Sequence, residues 1–252
     1  MQKVYQDDSY CREIETTING AWVFEGKTEL ACEDLLYHPA GGGQPDDHGS
    51  VVVQGKNYKV ASLRKHKGEI RIVLDDGGVL ASETGFGDVI ICSLDWERRN
   101  YLMRLHSAAH VLMAAAHKSV KGYVPGGMQI AADLGTATIR FQHEQEPDTS
   151  QIEQILQMAK DITQTGQEII SIKFQNLDAA RNTGKDIFRM DPAVQLKGQV
   201  RIVKIGEVDF NPCSGTHVKN TIEIGNIKLI GNHSVEQAYS EIQYSITPTC
   251  AA

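Results

Sequence analysis

Short β-prone runs separated by glycine-containing turns fill the chain before Asp95, and no helical period of useful length occurs there. The run EIETTINGAWVFEG places Asn19-Gly20 between two such segments, which predicts a hairpin turn at that dipeptide. Further along, glycine punctuates the pattern near Gly55 and Gly68. Short strands with closely spaced turns are typical of a small barrel or a curled sheet. We therefore predict a small β-barrel-like fold for this part of the chain.

The pattern changes at Asp95, where apolar residues begin to recur with a helical period. Asp95 is the predicted N-cap of this helix, and the apolar positions are 102, 105, 109, 112, 113 and 116. A second helix is predicted from Ser150, whose spacing to Glu153 indicates a capping box, to about Gly166. Strands are predicted at 128–132, 137–141, 168–174 and 200–205, and a short helix at 177–182.

The second half of the chain mixes these helices and strands without a regular βαβ rhythm, so the predicted class is α+β. We place the boundary between the barrel-like domain and this second domain near residue 92. The predicted domains are therefore 1–92 and 93–252.

The composition is that of an ordinary globular protein, with 252 residues, 41% hydrophobic and 23% charged. No apolar run approaches the ~18 residues that a membrane span needs. The polar, acidic N-terminus does not resemble a secretory signal. Five scattered cysteines, an odd number, favour reduced thiols over a disulfide framework. We expect a cytoplasmic protein with no membrane contact.

The net charge of −7 argues weakly against a nucleic-acid partner, but the charge is unevenly distributed. Residues 98–132 contain no Asp or Glu. The basic residues in that stretch are Arg98, Arg99, Arg104, Lys118 and Lys121. Two interpretations stay open: a local basic face that binds a folded RNA, or a solvated helix face that happens to be basic.

Two pairs of candidate metal ligands share the same four-residue spacing. The stretch HSAAH puts His106 and His110 on one face of the predicted helix, one turn apart. In NPCSGTH, Cys213 and His217 have the same separation in a loop that follows Pro212. Each pair alone is a weak signal, but together they offer three imidazole nitrogens and one thiolate. That set suits Zn²⁺, so we predict one zinc ion per chain.

Two common zinc chemistries do not fit these motifs. A zincin protease needs H-E-x-x-H with Glu as general base, and Ser107 stands where that Glu should be. A zinc nucleobase deaminase needs H-x-E with P-C-x-x-C, and neither the Glu nor the second Cys is present. Both alternatives therefore lack the carboxylate that their chemistry requires.

HSAAH and, much further along, CSGTHV resemble the H-x-x-x-H and C-x-x-x-H pairs of alanyl-tRNA synthetase editing domains and of their free-standing relatives, the AlaX proteins. The stretch YHPAGGGQPDDHG resembles the glycine-rich segment that precedes the editing core in the larger AlaX proteins. GFGDVIICSLDWERRNYLMRLHSAAH and DFNPCSGTHVKNTIEIGNIKL resemble the family's stretches around the two pairs. The match covers nearly the whole chain, with its three segments in the right order.

Three places depart from the family pattern. Ser214 stands where the usual loop C-G-G-T-H has its first glycine. GGMQ takes the place of a Q-K-G-S-like segment of the synthetases, and its Gln129 is the catalytic candidate there. The C-terminal SVEQAYSEIQYS lacks the arginines often found in the family, which puts part of the expected tRNA contact in doubt.

The resemblance implies hydrolysis of the ester that joins serine, or glycine, to tRNA(Ala), with zinc held by the four ligands and no dinucleotide cofactor. Ser107 and Thr216, each next to a ligand, are the candidate hydroxyls for recognising serine; helix packing and loop hydrogen bonding are their alternative roles. A site built to hydrogen-bond a hydroxyl rejects the analogue lacking it by ~10⁴ or more. The predicted tRNA contacts are Gly41, Gly42, Gly43, Gln44, Asp47, Arg98, Arg99 and Lys121.

The chain has no room for an aminoacylation domain, so we expect editing in trans, by a monomer or a dimer. Whether zinc would activate a water or position the substrate stays open. A first alternative is a non-catalytic, zinc-stabilised tRNA-binding module, which the complete ligand set disfavours. A second is editing of another mischarged tRNA, because related zinc domains occur in threonyl-tRNA synthetases; the glycine-rich segment argues against it.

Overall fold

The computed structural model describes residues 1–184, 187–190, 195–236 and 238–247. The chain forms two compact units, the first made of Met1–Gly41 and Pro45–Tyr101, the second of Gly42–Gln44 and Leu102–Ala252. The division falls after Tyr101, beyond the expected boundary near residue 92, and part of the glycine-rich segment belongs to the second unit. The predicted α+β class is confirmed by the mixture of helices and sheets.

The first unit is built around a closed six-stranded barrel, in the order β2–β3–β7–β6–β5–β8. Its strands are β1 (Gln2–Lys3), β2 (Glu13–Phe24), β3 (Lys27–Cys32), β4 (Asp34–Leu35), β5 (Gly49–Val53), β6 (Lys56–His66), β7 (Glu69–Leu74) and β8 (Val89–Leu94). Its short helices are α1 (Val4–Asp7) and α2 (Leu80–Glu83). The barrel closes because β8 pairs antiparallel with both β5 and β2, which confirms the predicted barrel.

Buried and exposed side chains alternate along several barrel strands, and the buried ones form the core of the barrel. In β8, Ile90 and Cys92 are buried while Val89 and Ile91 are exposed, which is the strand period of two. Tyr37 is fully buried in the same core, and its hydroxyl donates to the Ser50 carbonyl at 2.7 Å. A single apolar cluster therefore stabilises the barrel from within.

The hairpin predicted at Asn19-Gly20 is wrong. β2 runs straight through this dipeptide, with a register shift there against β3, and the chain turns at Glu25-Gly26 instead. A Cβ at position 20 would lie 2.4 Å from the Trp22 ring, so Gly20 is needed for close packing. Glu25 and Gly26 both have positive φ, 50° and 70°, which is what a two-residue turn between twisted strands requires.

The turns expected near Gly55 and Gly68 are confirmed. Gln54-Gly55 joins β5 to β6 with φ of 49° and 76°. Lys67-Gly68 joins β6 to β7 with φ of 46° and 86°. Each glycine supplies the second left-handed residue of its turn at no steric cost. The glycines at these two positions therefore indicate hairpins correctly.

A buried ion pair ties the start of the long helix to the first unit. Arg99 and Asp47 have no exposed side-chain surface, and Arg99 Nε lies 2.9 Å from Asp47 Oδ1. Arg99 also donates to the carbonyls of Leu36 and Ser9, both at 2.9 Å. The prediction that Arg99 and Asp47 contact tRNA is therefore wrong, because two side chains without accessible surface meet each other. This pairing also explains why the first unit extends to Tyr101.

The described residues of the second unit form two antiparallel sheets, ordered β14–β15–β10–β9 and β11–β12–β13. Its strands are β9 (Val124–Ala131), β10 (Thr136–Gln142), β11 (Ile169–Phe174), β12 (Val200–Ile205), β13 (Asp209–Pro212), β14 (Asn226–Glu236) and β15 (Tyr239–Thr247). Its helices are α3 (Trp96–Ser119), which begins in the first unit, α4 (Thr149–Thr165) and α5 (Leu177–Thr183). No helix in the described ranges has both the length and the apolar character to span a membrane.

Helix α3 carries the first ligand pair and is buried along most of its length. Asp95 caps it as predicted, accepting a hydrogen bond from the Arg98 backbone at 3.1 Å. Leu102, Leu105 and Leu112 are fully buried, as the apolar period predicts. The Tyr244 hydroxyl donates to the Leu105 carbonyl at 2.8 Å, so β15 is attached to this helix.

The capping box predicted at the start of α4 lies two residues earlier than expected. Asp148, not Ser150, is the N-cap: its carboxylate accepts from Gln151 N at 2.8 Å, and Gln151 Oε1 accepts from Asp148 N at 3.1 Å. Asp148 follows a proline and has the extended backbone that an N-cap needs, so the Ser150–Glu153 box does not form. The predicted end at Gly166 is confirmed by its left-handed φ of 72°.

Arg99→Ala should lower the free energy of unfolding by about 3–5 kcal/mol, because it leaves the Asp47 carboxylate buried without its partner. Arg98→Ala is the matched control, since the Arg98 side chain is half-buried and its Nε donates to a backbone carbonyl. Chemical denaturation of both variants would measure the difference. Equal losses in the two variants would contradict a dominant role for the buried pair.

Candidate metal centre

Four side chains of the second unit meet at one point. Helix α3 supplies His106 and His110, and the loop after β13 supplies Cys213 and His217. Their ligand atoms all lie within 4.8 Å of one another. Cys213 Sγ is 3.4 Å from His106 Nε2 and 3.2 Å from His217 Nε2. The predicted convergence of the two pairs is confirmed, and together they could bind a metal ion.

Each histidine of this cluster has its Nδ1 held by another polar side chain. The contacts are His106 Nδ1 to Gln44 Oε1 at 2.7 Å, His110 Nδ1 to Asp209 Oδ2 at 2.7 Å, and His217 Nδ1 to Ser107 Oγ at 3.1 Å. Such contacts fix the ring orientation of a metal-binding histidine and leave Nε2 for the ion. The arrangement therefore has both the ligands and the supporting partners of a metal centre.

Gln44 is a supporting residue and not an exposed tRNA contact. Its side chain is buried, and besides holding His106 it accepts from Thr216 N at 3.1 Å and donates to Thr216 Oγ1 at 2.9 Å. The glycine before it allows this position, because a Cβ at Gly43 would lie 2.0 Å from the Met128 carbonyl oxygen. The Gln44 side chain therefore orients a candidate ligand, and a contact between tRNA and the backbone at Gln44 stays a prediction.

Ser107 and Thr216 are also buried, with no exposed surface. Ser107 Oγ contacts His217 and accepts from Val218 N at 3.3 Å. Thr216 Oγ1 is occupied by Gln44. Neither hydroxyl lines the cavity described below, and their hydrogen bonds go to His217 and Gln44. The prediction that these hydroxyls recognise a serine substrate is therefore wrong for this geometry.

Gln129 lies on β9 with its side chain exposed, and its Nε2 contacts only the adjacent Ile130 carbonyl at 3.4 Å among the contacts described. Its neighbour Met128 lines the cavity. Because successive strand residues point to opposite faces, Gln129 is directed away from the cavity. The structure therefore gives no support to the catalytic role of Gln129, which stays a prediction.

Asp209 was not identified from the sequence, yet it is the most constrained polar residue of the cluster. Its carboxylate is fully buried, holds His110, and accepts from Arg189 and, at 2.6 Å, from Asn211 Nδ2. The sequence signal is an aspartate four residues before Cys213, next to the apolar Phe210.

Burial would raise the pKa of the Cys213 thiol, but the rings of His106 and His217 outweigh it and hold this pKa well below its usual range. Burial lowers the pKa of His217 to about 3. Burial would also lower the pKa of His110, but its hydrogen bonds to Asp209 and Cys213 raise it to about 10. These shifts favour a Cys213 thiolate and a neutral His217, the forms that coordinate metal ions, whereas His110 has to release a proton to bind one.

A cavity of about 530 Å³ opens beside the cluster. Its lining residues are Gly42, Gly43, His106, His110, Met113, Tyr123, Pro125, Gly127, Met128, Arg189, Met190, Leu196, Asn211, Pro212, Cys213 and Ser214. Three of the four ligands thus form part of its wall. The size and the mainly apolar lining with a few polar groups are those of a small-molecule site.

Most of the other residues predicted to contact tRNA either line the cavity or make polar contacts within the protein. Gly42 and Gly43 line the cavity. Lys121 is well exposed and pairs with Glu144 at 2.9 Å. Arg98 donates from Nε to the Asp46 carbonyl at 3.1 Å. For these residues, and for Gly41, contact with tRNA stays a prediction.

Residues 200–241, which include Cys213 and His217, match the family model described as the threonyl and alanyl tRNA synthetase second additional domain. An alanine–tRNA ligase of Saccharolobus islandicus is 27% identical over 250 residues, 98% of this chain and 27% of the relative. The alanine–tRNA ligase of Metallosphaera sedula is 27% identical over 245 residues, 96% of this chain and 26% of the relative. That of Thermoplasma acidophilum is 29% identical over 244 residues, 96% of this chain and 26% of the relative.

The chain therefore spans about a quarter of the length of the curated relatives that it matches. Nearly all of this chain is similar to that part of an alanine–tRNA ligase. The resemblance to the alanyl-tRNA synthetase editing region and to its AlaX relatives is thereby confirmed.

Ser107→Ala should weaken metal binding about 10–100-fold, because it removes the group that holds His217 Nδ1. Competition with a chromophoric chelator would measure the affinity. Ser119→Ala, at the end of the same helix and outside the cluster, is the control and should bind like wild type. An affinity of the Ser107 variant equal to that of the control would remove Ser107 from the metal centre.

Proposed function

We propose that this chain hydrolyses the ester bond of tRNA(Ala) mischarged with serine or glycine, using a zinc ion held by His106, His110, Cys213 and His217. The observation that carries the proposal is the position of the cluster: three of its members face a cavity, in a chain similar to alanine–tRNA ligase over 98% of its length. The ester is already activated, so its hydrolysis needs no ATP.

The donor set supports zinc in particular. Three imidazole nitrogens and one thiolate match the preference of a borderline-soft ion for N and S ligands in tetrahedral geometry. Metal-binding histidines usually have their second ring nitrogen held by a polar group, and the partners of Nδ1 supply that contact for all three rings. When bound, zinc supplies Lewis-acid polarisation of the ester carbonyl or activation of a water.

The protein groups of the site have separate tasks. The Cys213 thiolate and the three imidazoles hold the ion, while Gln44, Ser107 and Asp209 keep the rings in place. The apolar wall, with Met113, Met128 and Leu196, limits the access of bulk water to the bound ester. The backbone at Gly42 and Gly43 borders the same space and is suited to a close approach by the tRNA end.

Two observations favour other functions. Four protein ligands normally close a structural zinc site, which favours a zinc-stabilised tRNA-binding module without catalysis. The matching family model covers threonyl as well as alanyl synthetases, which favours editing of a different mischarged tRNA. We rank both lower, because the ligands border a cavity and the similar full-length relatives are alanine–tRNA ligases. The proposed location is the cytoplasm, where charged tRNA is used.

Purified protein incubated with Ser-, Gly- and Ala-tRNA(Ala) should deacylate the first fastest and spare the last. Cys213→Ala should lose all of these activities, since it removes the sulfur ligand that the described part of the chain supplies to the site. The exposed-histidine variant His233→Ala is the control and should keep them. Binding of tRNA without hydrolysis by wild type would favour the non-catalytic module.

A further inference from the structure

Tyr123 occupies a fixed place in the wall of the cavity, between the end of α3 and the start of β9. Its ring packs against Phe141 with centroids 5.4 Å apart and, almost perpendicular, against His117 with centroids 5.5 Å apart. Aromatic contacts on two sides restrict the ring, so its hydroxyl has a defined position. The phenol is thus a rigid part of the site rather than a mobile surface group.

The Tyr123 hydroxyl is shielded from solvent and has no hydrogen-bond partner among the described residues. The same holds for Nε of Arg189, which also lines the cavity. Buried polar groups in folded proteins are nearly always paired, because leaving one unpaired costs free energy. Two residues that line one cavity thus each carry a buried polar atom without a partner, which favours a ligand with a small polar group.

Burial, followed by the nearby Asp209 carboxylate, raises the pKa of Tyr123. The phenol therefore stays protonated at neutral pH, so it can donate a hydrogen bond and accept one in return. A hydroxyl group of a ligand has the same two capacities. The two groups are therefore matched hydrogen-bond partners.

Other polar side chains of the cavity are less suited to this task. Two nitrogens of Arg189 are bound by Asp209 and by the Val208 carbonyl. The Asn211 amide accepts from Arg189 N at 2.8 Å and donates to Asp209. Ser214 is exposed, so water competes for its hydrogen bonds.

We propose that Tyr123 is the residue that selects serine, by hydrogen-bonding the side-chain hydroxyl of the bound seryl ester. This inference rests on the proposed function and names the group that discriminates between its substrates. An alanyl or glycyl ester has no hydroxyl and leaves the Tyr123 hydroxyl buried and unpaired, which is the situation that gives strong discrimination. Serine is therefore the preferred substrate, and glycine is a poor one.

The test is Tyr123→Phe, which removes one oxygen and keeps the ring. For this variant kcat/KM for Ser-tRNA(Ala) should fall about 10–100-fold, while the rates for Gly-tRNA(Ala) and Ala-tRNA(Ala) stay as in wild type. The bound metal should be unchanged, because Tyr123 is not a ligand. The melting temperature should not fall, because the hydroxyl makes no hydrogen bond within the described part of the chain.

Tyr37→Phe is the matched control, since its buried hydroxyl donates to the Ser50 carbonyl at 2.7 Å. This variant should melt at a lower temperature and keep the wild-type ratio of Ser- to Ala-tRNA hydrolysis. An unchanged ratio in Tyr123→Phe, with wild type active on Ser-tRNA(Ala), overturns the role of Tyr123 and leaves the proposed function intact. Wild type inactive on all three substrates overturns both.

Discussion

The hydrogen bonds that hold Nδ1 of His106, His110 and His217 are the constraint on which the candidate metal centre depends. An imidazole can present either nitrogen, and the partner of one nitrogen decides which is left for an ion. Here an amide, a carboxylate and a hydroxyl all take Nδ1, so Nε2 of His106 and of His217 lies within 3.4 Å of Cys213 Sγ. Without these partners the same four residues would not present one set of ligand atoms.

Glycines allow this supporting shell to approach the ligands. The carbonyl of Gly43 accepts from Ile130 N at 2.8 Å, which attaches the glycine-rich segment to β9 and puts Gln44 beside His106. A Cβ at Gly215 would lie 2.2 Å from His106 Cε1, so the loop that carries Cys213 also requires glycine. The departure at Ser214 is tolerated because that position is exposed.

The ligands could be predicted from the sequence because each pair is a local spacing on one helix or one loop. Their partners could not, because Gln44 and His106 are 62 residues apart and Asp209 and His110 are 99 apart. Helix geometry predicts that Ser107 lies close to the ligands, but it does not predict which side of the helix faces the cavity. The predicted hairpin at Asn19-Gly20 does not form. Gly20 is needed because the Trp22 ring packs against it, and a local sequence pattern does not reveal such a tertiary contact.

X-ray absorption at the zinc edge tests the central claim most directly, because it reports the ligand atoms of the bound ion. A shell of three nitrogens at about 2.0–2.1 Å and one sulfur at about 2.3 Å is the predicted result. The sulfur contribution should disappear in Cys213→Ala. A wild-type spectrum with only nitrogen and oxygen neighbours would contradict the account, because Cys213 would then be no ligand and the convergence around its thiolate would have another purpose.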